Sequence, residues 1–228
     1  MTIRAVLFDV GGPIVTEIEH ERAIDADIRA LFAEQNMPIS DSQYAAAWGE
    51  VIDEFAPNAY SAVIYKLAAG DEEIAPSVWR EMARRSHERG SFELREGMPE
   101  LLEELTSRGL KLGLAANQPA EVIARFEAHG IAKYFASTAV SGTHGFHKPD
   151  VRLFLHACEA LGVTPSECIM VGDRIDCDIV PARRLGMRTV RLRTGRHASQ
   201  EPRTEDERPE VEVTDVAGMR AAILRMLE

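Results

Sequence analysis

Lysine is scarce in this chain. Lys66, Lys111, Lys133 and Lys148 are the only four, and acidic residues outnumber basic ones to give a formal net charge of −11. That balance argues against non-specific binding to nucleic acid or to anionic membranes, both of which need a positive surface. Cysteine is nearly as rare: Cys158, Cys168 and Cys177 are odd in number and unremarkably spaced, so neither a disulfide framework nor a zinc site is indicated. No apolar run approaches the roughly 18 residues of a membrane helix. The N-terminus runs straight into an apolar stretch without a charged-then-apolar leader, and no internal repeat or low-complexity block is visible. A cytoplasmic protein without membrane or nucleic-acid partners is therefore expected. The acidic balance does not exclude a small phosphate ester, because a local cation and a bound divalent metal reverse the sign inside one pocket.

What is present, in 228 residues, is enough apolar sequence for one large domain or a core with a smaller insert. The run Ile3-Arg-Ala-Val-Leu-Phe-Asp-Val-Gly-Gly opens as a strand buried on both faces and stops at Asp9 and two glycines. From Glu17 to about Gly90 the pattern turns helical. Ile24, Ile28, Leu31 and Phe32 share one face, Ser40 or Asp41 offers an N-cap, and Tyr44, Trp48, Val51, Ile52 and Phe55 follow at helical spacing. About four helices are expected there, enough for a small bundle.

From Phe92 onward strands and helices alternate: strands over 110–116, 135–140, 168–171 and 187–192, an edge strand over 211–213, and helices over 99–108, 119–129, 150–161, 176–185 and 216–227. Residues 195–209 are polar and read as an exposed loop. Such alternation predicts an α/β fold, a doubly wound parallel sheet with right-handed crossovers. The expected core comprises residues 1–16 and 92–228, with residues 17–91 as a helical cap that would act as a lid.

In open α/β sheets chemistry sits at the carboxyl ends of strands. Four places put polar groups there: Asp9; Ala116-Asn117; the loop Lys148-Pro149-Asp150; and Gly172-Asp173 with Asp178 following. Phe8-Asp9-Val10-Gly11-Gly12, Leu114-Ala115-Ala116-Asn117, His147-Lys148-Pro149-Asp150 and Val171-Gly172-Asp173 through Asp178 together resemble, in order, the four motifs of the haloacid dehalogenase-like superfamily. The resemblance spans essentially the whole chain, and the helical insertion after the first motif matches that family's cap. It implies a Rossmann-like core and a Mg²⁺-dependent phosphohydrolase acting on a small phosphorylated metabolite through an aspartyl phosphate.

Carried over residue by residue, Asp9 is the nucleophile. Asp9, the Gly11 carbonyl and Asp173 hold Mg²⁺, with Asp178 supporting them. Lys148 steadies Asp9 and the transferring phosphate, and Gly11, Gly12, Ala116, Asn117 and Lys148 line the phosphate site. The physical need is plain: a carboxylate attacking a phosphoryl group brings two anions together, and positive charge must offset the repulsion.

Two positions depart from the family pattern. Gly11 stands where a second Asp usually serves as general acid/base, a role typically worth about 10²–10⁴-fold. Ala116 replaces a Ser or Thr, removing a hydrogen bond to a charged group worth roughly 1.5–3 kcal/mol. Glu17, His20, His144 and His147 are nearby in sequence and could deliver a proton instead. Asn58, Tyr60, Arg80 and Arg84 in the insertion are candidates for substrate selection. The departures also motivate two other readings: a catalytically weakened relative that binds a ligand or partner, and a dehalogenase-type hydrolase that needs no leaving-group acid. A phosphonate-cleaving enzyme would need a Schiff-base lysine in the insertion, where Lys66 stands in an apolar helical context. The oligomeric expectation is a monomer or homodimer.

Overall fold

The computed structural model describes residues 2–89 and 92–228. The expected end of the insertion, residue 91, lies outside the described residues. Within them the elements run β1 (Ala5–Phe8), β2 (Val15–Thr16), α1 (Ile18–Glu34), α2 (Asp41–Asp53), α3 (Ala59–Leu67), α4 (Ile74–Arg89), β3 (Glu93–Leu94), α5 (Met98–Ser107) and β4 (Lys111–Ala116). There follow α6 (Val122–Ala128), β5 (Phe135–Val140), α7 (Ser141–His144), α8 (Val151–Leu161), β6 (Cys168–Gly172), α9 (Val180–Arg184), β7 (Arg188–Leu192), β8 (Val211–Val213) and α10 (Val216–Arg225).

Six strands form one sheet in the order β5-β4-β1-β6-β7-β8, and every pairing within it is parallel. All four residues of β1 are fully buried, as a central strand covered on both faces must be. Side chains alternate between the two faces. Ala5 and Leu7 join Leu153, Phe154, Ala157 and Leu161 of α8 and Ala182 of α9 in one apolar cluster. On the other face Phe8 meets Phe135 edge-on, and Phe135 in turn packs on Phe126 of α6. This is a doubly wound, Rossmann-like sheet. Its order places β4 on one side of β1 and β6 on the other. β1 is thus the switch point, where open α/β sheets keep their ligand crevice.

The contacts divide the chain into two compact units. One contains the residues up to Thr16 together with Glu93–Glu228, the other Glu17–Phe92. The second is a four-helix unit with its own core of Ile24, Ile28, Phe32, Trp48, Val51, Val63, Ile64, Val78 and Met82. Its helix α2 starts on a full capping box, in which Ser40 and Gln43 exchange side-chain and backbone hydrogen bonds. Where the chain leaves and re-enters the first unit, β2 and β3 pair antiparallel, with Thr16 opposite Glu93. The sequence reading has no counterpart for this two-residue pairing, because strands so short carry no periodicity.

Three other segments differ from expectation. The helix expected over 119–129 begins only at Val122, since Pro119–Glu121 form a turn. The helix expected over 176–185 is a wide π turn at Ile175–Ile179, then α9. There the N–H groups of Asp178 and Ile179 both donate to the Arg174 carbonyl, while the Asp178 carboxylate accepts the N–H groups of Asp173 and Arg174. Residues 195–209 carry turns at Gly195–Ser199 and Glu205–Glu207 and are anchored by the buried Gln200, which apolar patterning cannot reveal.

Candidate active site

β1 ends at Phe8 in register with Leu114 of β4 and Val171 of β6. The residues that follow these strands are therefore neighbours. The Asp9 N–H extends the ladder by donating to the Val171 carbonyl at 2.9 Å, and the Asp9 Oδ1 accepts the N–H of Val10 at 2.8 Å. Immediately beyond, the chain turns tightly enough for the Ile14 and Val15 N–H groups to reach the Val10 carbonyl. Gly12 makes that turn possible twice over. Its φ is +82°, and a Cβ there would stand 3.0 Å from Cβ and Cγ of Asp173. Arg95, just after β3, braces the turn, its Nε donating to the Gly12 carbonyl at 2.7 Å.

Lys148 is brought in by the loop between α7 and α8. Its ammonium is buried and lies 2.9 Å from Asp9 Oδ1 and 2.5 Å from Asp178 Oδ1. Burial alone would favour the neutral amine; the pull of Asp178 and Asp9 outweighs it, so Lys148 is held charged well above the usual lysine range. Burial pushes the Asp178 carboxyl up to about 6; Lys148 opposes that shift and Asp9 adds to it.

Asp9, Asp173 and Asp178 each offer a carboxylate oxygen, and these oxygens all lie within 4.8 Å of one another. Three hard anionic donors facing a single ammonium leave negative charge uncompensated. A small divalent cation such as Mg²⁺, which prefers carboxylate oxygen and keeps part of its water shell, fits that donor set. Asp178 has the least freedom to adjust. It is fully buried, one oxygen taken by Lys148 and the other by two backbone N–H groups, and a Cβ on Gly172 would lie 2.3 Å from its Cβ. One of those bonds ties it to the backbone of Asp173.

Asn117 follows β4 as expected, but its amide is turned toward the lysine loop. Its Oδ1 accepts the Lys148 N–H at 2.7 Å and its Nδ2 donates to the Lys148 carbonyl at 3.0 Å. The amide thus clamps the backbone that carries the ammonium, and only its second N–H is left for a ligand. Ala116 is buried and brings no donor. Among the residues considered as proton donors, His147 is exposed, while His144 lies against the His156 ring at 4.0 Å and burial lowers its pKa. Within the helical unit His20 contacts Ser86, Asn58 caps α3, Tyr60 packs edge-on against Trp48, and Arg84 is tied to Glu81 and Glu88. Sequence reasoning passed over Arg191 and Gln200, both buried, the first bonded to the Asp173 carbonyl and the second to the Ile175 N–H. The one signal was that Arg191 lies between Val190 and Leu192 in the strand β7.

A parallel sheet with carboxylates and a buried ammonium gathered at its switch point is the frame of a hydrolase that works through side-chain oxygens and a hard cation. The chain belongs to the haloacid dehalogenase-like hydrolase family, whose model matches residues 3–186. It is 31% identical over 224 residues to a glyceraldehyde 3-phosphate phosphatase of Methanopyrus kandleri, covering 92% of this chain and 93% of that protein. To a phosphoserine phosphatase of Thermus thermophilus it is 30% identical over 227 residues, covering 93% and 89%. Among solved structures, YfnB of Bacillus subtilis, described as a HAD-hydrolase bound to magnesium, superposes with a TM-score of 0.68 over 100% of both chains at 21% identity. That likeness concerns the fold. No helix among the described residues is long and apolar enough to cross a membrane.

Proposed function

We propose that the protein is a Mg²⁺-dependent phosphohydrolase of a small phosphorylated compound, with Asp9 as nucleophile. The observation that carries this reading is the placement of Asp9, the first polar residue after the central strand, against the buried Lys148 at 2.9 Å and beside Asp173 and Asp178. The phosphatase names of the two full-length relatives support the same class.

Asp9 presents a carboxylate oxygen to the phosphorus; as that bond forms, the substrate's P–O bond breaks and the leaving group departs with its oxygen, taking any proton it needs from water. Water then attacks the phosphorus of the acyl phosphate, releasing inorganic phosphate and the Asp9 carboxylate. Lys148 supplies fixed positive charge to Asp9 and to the phosphoryl oxygens as charge redistributes, at no cost in reorganisation. Asp9, Asp173 and the Gly11 carbonyl would hold the cation, which would screen the two anions and polarise the phosphoryl group. Asn117 keeps the lysine loop in place and offers its backbone N–H to a phosphate oxygen.

Gly11 brings no side chain to protonate the leaving group. Turnover should therefore depend strongly on the leaving group and favour acyl or anomeric phosphates over alkyl esters. Gly11→Asp should raise alkyl-ester turnover by about 10²–10⁴-fold while changing acyl phosphate turnover little. A screen of phosphorylated metabolites with and without Mg²⁺, with Asp9→Asn as the blank, tests the main reading. Phosphate release that needs Mg²⁺ and disappears in Asp9→Asn supports it; release that persists in Asp9→Asn refutes it. Gly11 and Ala116 together also favour a second reading, a ligand-binding relative. Saturable binding of phosphorylated compounds without turnover, even in Gly11→Asp, would select it.

A further inference from the structure

Arg191 is the largest fully buried side chain among the described residues, and it sits in a strand. On β7 it pairs in register with Gly172, the residue before Asp173, and on its other side with Glu212 of β8. Its guanidinium makes four hydrogen bonds. The Nε donates to the Asp173 carbonyl at 3.1 Å, Nη1 to the Gln200 carbonyl at 2.9 Å and to Glu212 at 2.8 Å, and Nη2 to the His197 carbonyl at 2.7 Å.

Gln200, itself buried, carries the fixation one step further along the same segment. Its Oε1 accepts the Ile175 N–H at 2.9 Å and its Nε2 donates to Asp176 at 3.2 Å. The backbone from Asp173 to Ile175 is thereby gripped at one carbonyl and one N–H from the loop side. From the opposite side Asp178 grips the Asp173 and Arg174 N–H groups.

A fully buried arginine at a strand position is an expensive way to fill space, since a well-packed apolar residue of similar volume is commonly as stable or more so. What the arginine and glutamine supply that an apolar pair would not is a fixed backbone trajectory for the carboxylates at the strand end. Mg²⁺ demands near-ideal octahedral geometry, so small displacements of a carboxylate are felt in affinity. We propose that Arg191 and Gln200 are positioning residues that hold the Asp173–Asp178 segment in its cation-binding geometry. This rests on the reading of the carboxylate cluster as a Mg²⁺ site.

Calorimetric titration of Mg²⁺ into the wild-type chain and into Gln200→Met and Arg191→Lys tests it, alongside Mg²⁺-dependent turnover. Gln200→Met keeps the volume and loses both side-chain bonds; Arg191→Lys keeps the charge and loses the fork. Each variant should bind Mg²⁺ about tenfold more weakly, as expected for residues that orient metal ligands. Turnover at saturating Mg²⁺ should stay within about threefold of wild type. Folded variants that bind Mg²⁺ as tightly as wild type would overturn the proposal.

Hydrogen exchange on the wild-type chain makes the test independent of how the variants fold. Mg²⁺ should slow exchange both at Arg174–Ile175 and across residues 195–200, and slowing confined to the first would overturn the coupling. A wild-type chain that binds no Mg²⁺ would overturn the cation-site reading as well, a result distinct from equal binding by wild type and variants.

Discussion

Lys148 is the residue on which the charge balance of the site turns. It is buried against two carboxylates, Asp9 and Asp178, and removing it leaves both without their counter-charge. Breaking a buried pair from one side costs about 3–5 kcal/mol. Lys148→Met should lower the urea-unfolding free energy by that order in the absence of Mg²⁺, and added Mg²⁺ should recover part of it by binding the folded state alone.

A second residue acts through pH. Burial, with Arg174 nearby, lowers the pKa of His197 to about 3, against about 6.5 in an unfolded chain. Below about 6.5 the unfolded chain takes up a proton that the native one refuses, so this contribution is complete above that pH and is lost progressively toward pH 3. Between pH 7 and 4.5 the wild type should lose about 2 kcal/mol more than His197→Gln, measured by urea titration at each pH. Equal losses would show that His197 is free to charge in the fold.

Among the elements, the end of β6 and the turn after it are the least tolerant of change. Gly172 lies so close to Asp178 that a methyl group would stand 2.3 Å from its Cβ and Cγ. Gly172→Ala should cost roughly 1–3 kcal/mol by overpacking and should weaken Mg²⁺ binding, since the displaced side chain is the one that fixes Asp173. Thermal unfolding and metal titration of the same variant measure the two effects.

Helix α2 offers a simpler case. Its capping box closes on Ser40, so Ser40→Ala should destabilise the helical unit by about 1 kcal/mol, read from the unfolding midpoint. The residue types alone offered Ser40 or Asp41 as the cap, and the structure puts it at Ser40. The π turn at Ile175–Ile179 was not legible, because helical periodicity is blind to which carbonyl an N–H selects.

At the scale of the molecule, the helical unit leaves the α/β unit between two residues that face each other, Thr16 and Glu93. Replacing residues 17–92 by a two-residue Asn-Gly turn, which matches the twist of a short antiparallel pair, should leave an α/β unit that folds cooperatively. Circular dichroism and a single urea transition would verify it; a molten, non-cooperative product would show that this unit draws its stability from elsewhere. The alternation of strands and helices, the apolar β1 and the four polar strand ends were readable in order along the chain, because period and residue type are local properties.

The sequence by itself determined the class of fold and the strand ends at which polar residues gather. Only the tertiary structure decided which polar groups share one volume. Lys148 lies 139 positions from Asp9 in the chain yet 2.9 Å from it in space. The Asn117 amide is bound to the Lys148 backbone, and an arginine and a glutamine from a stretch that reads as strand and loop are buried against the backbone of Asp173 and Ile175. The reason is physical: hydrogen bonds and buried charge are settled between groups far apart in sequence, and only packing sets their distances.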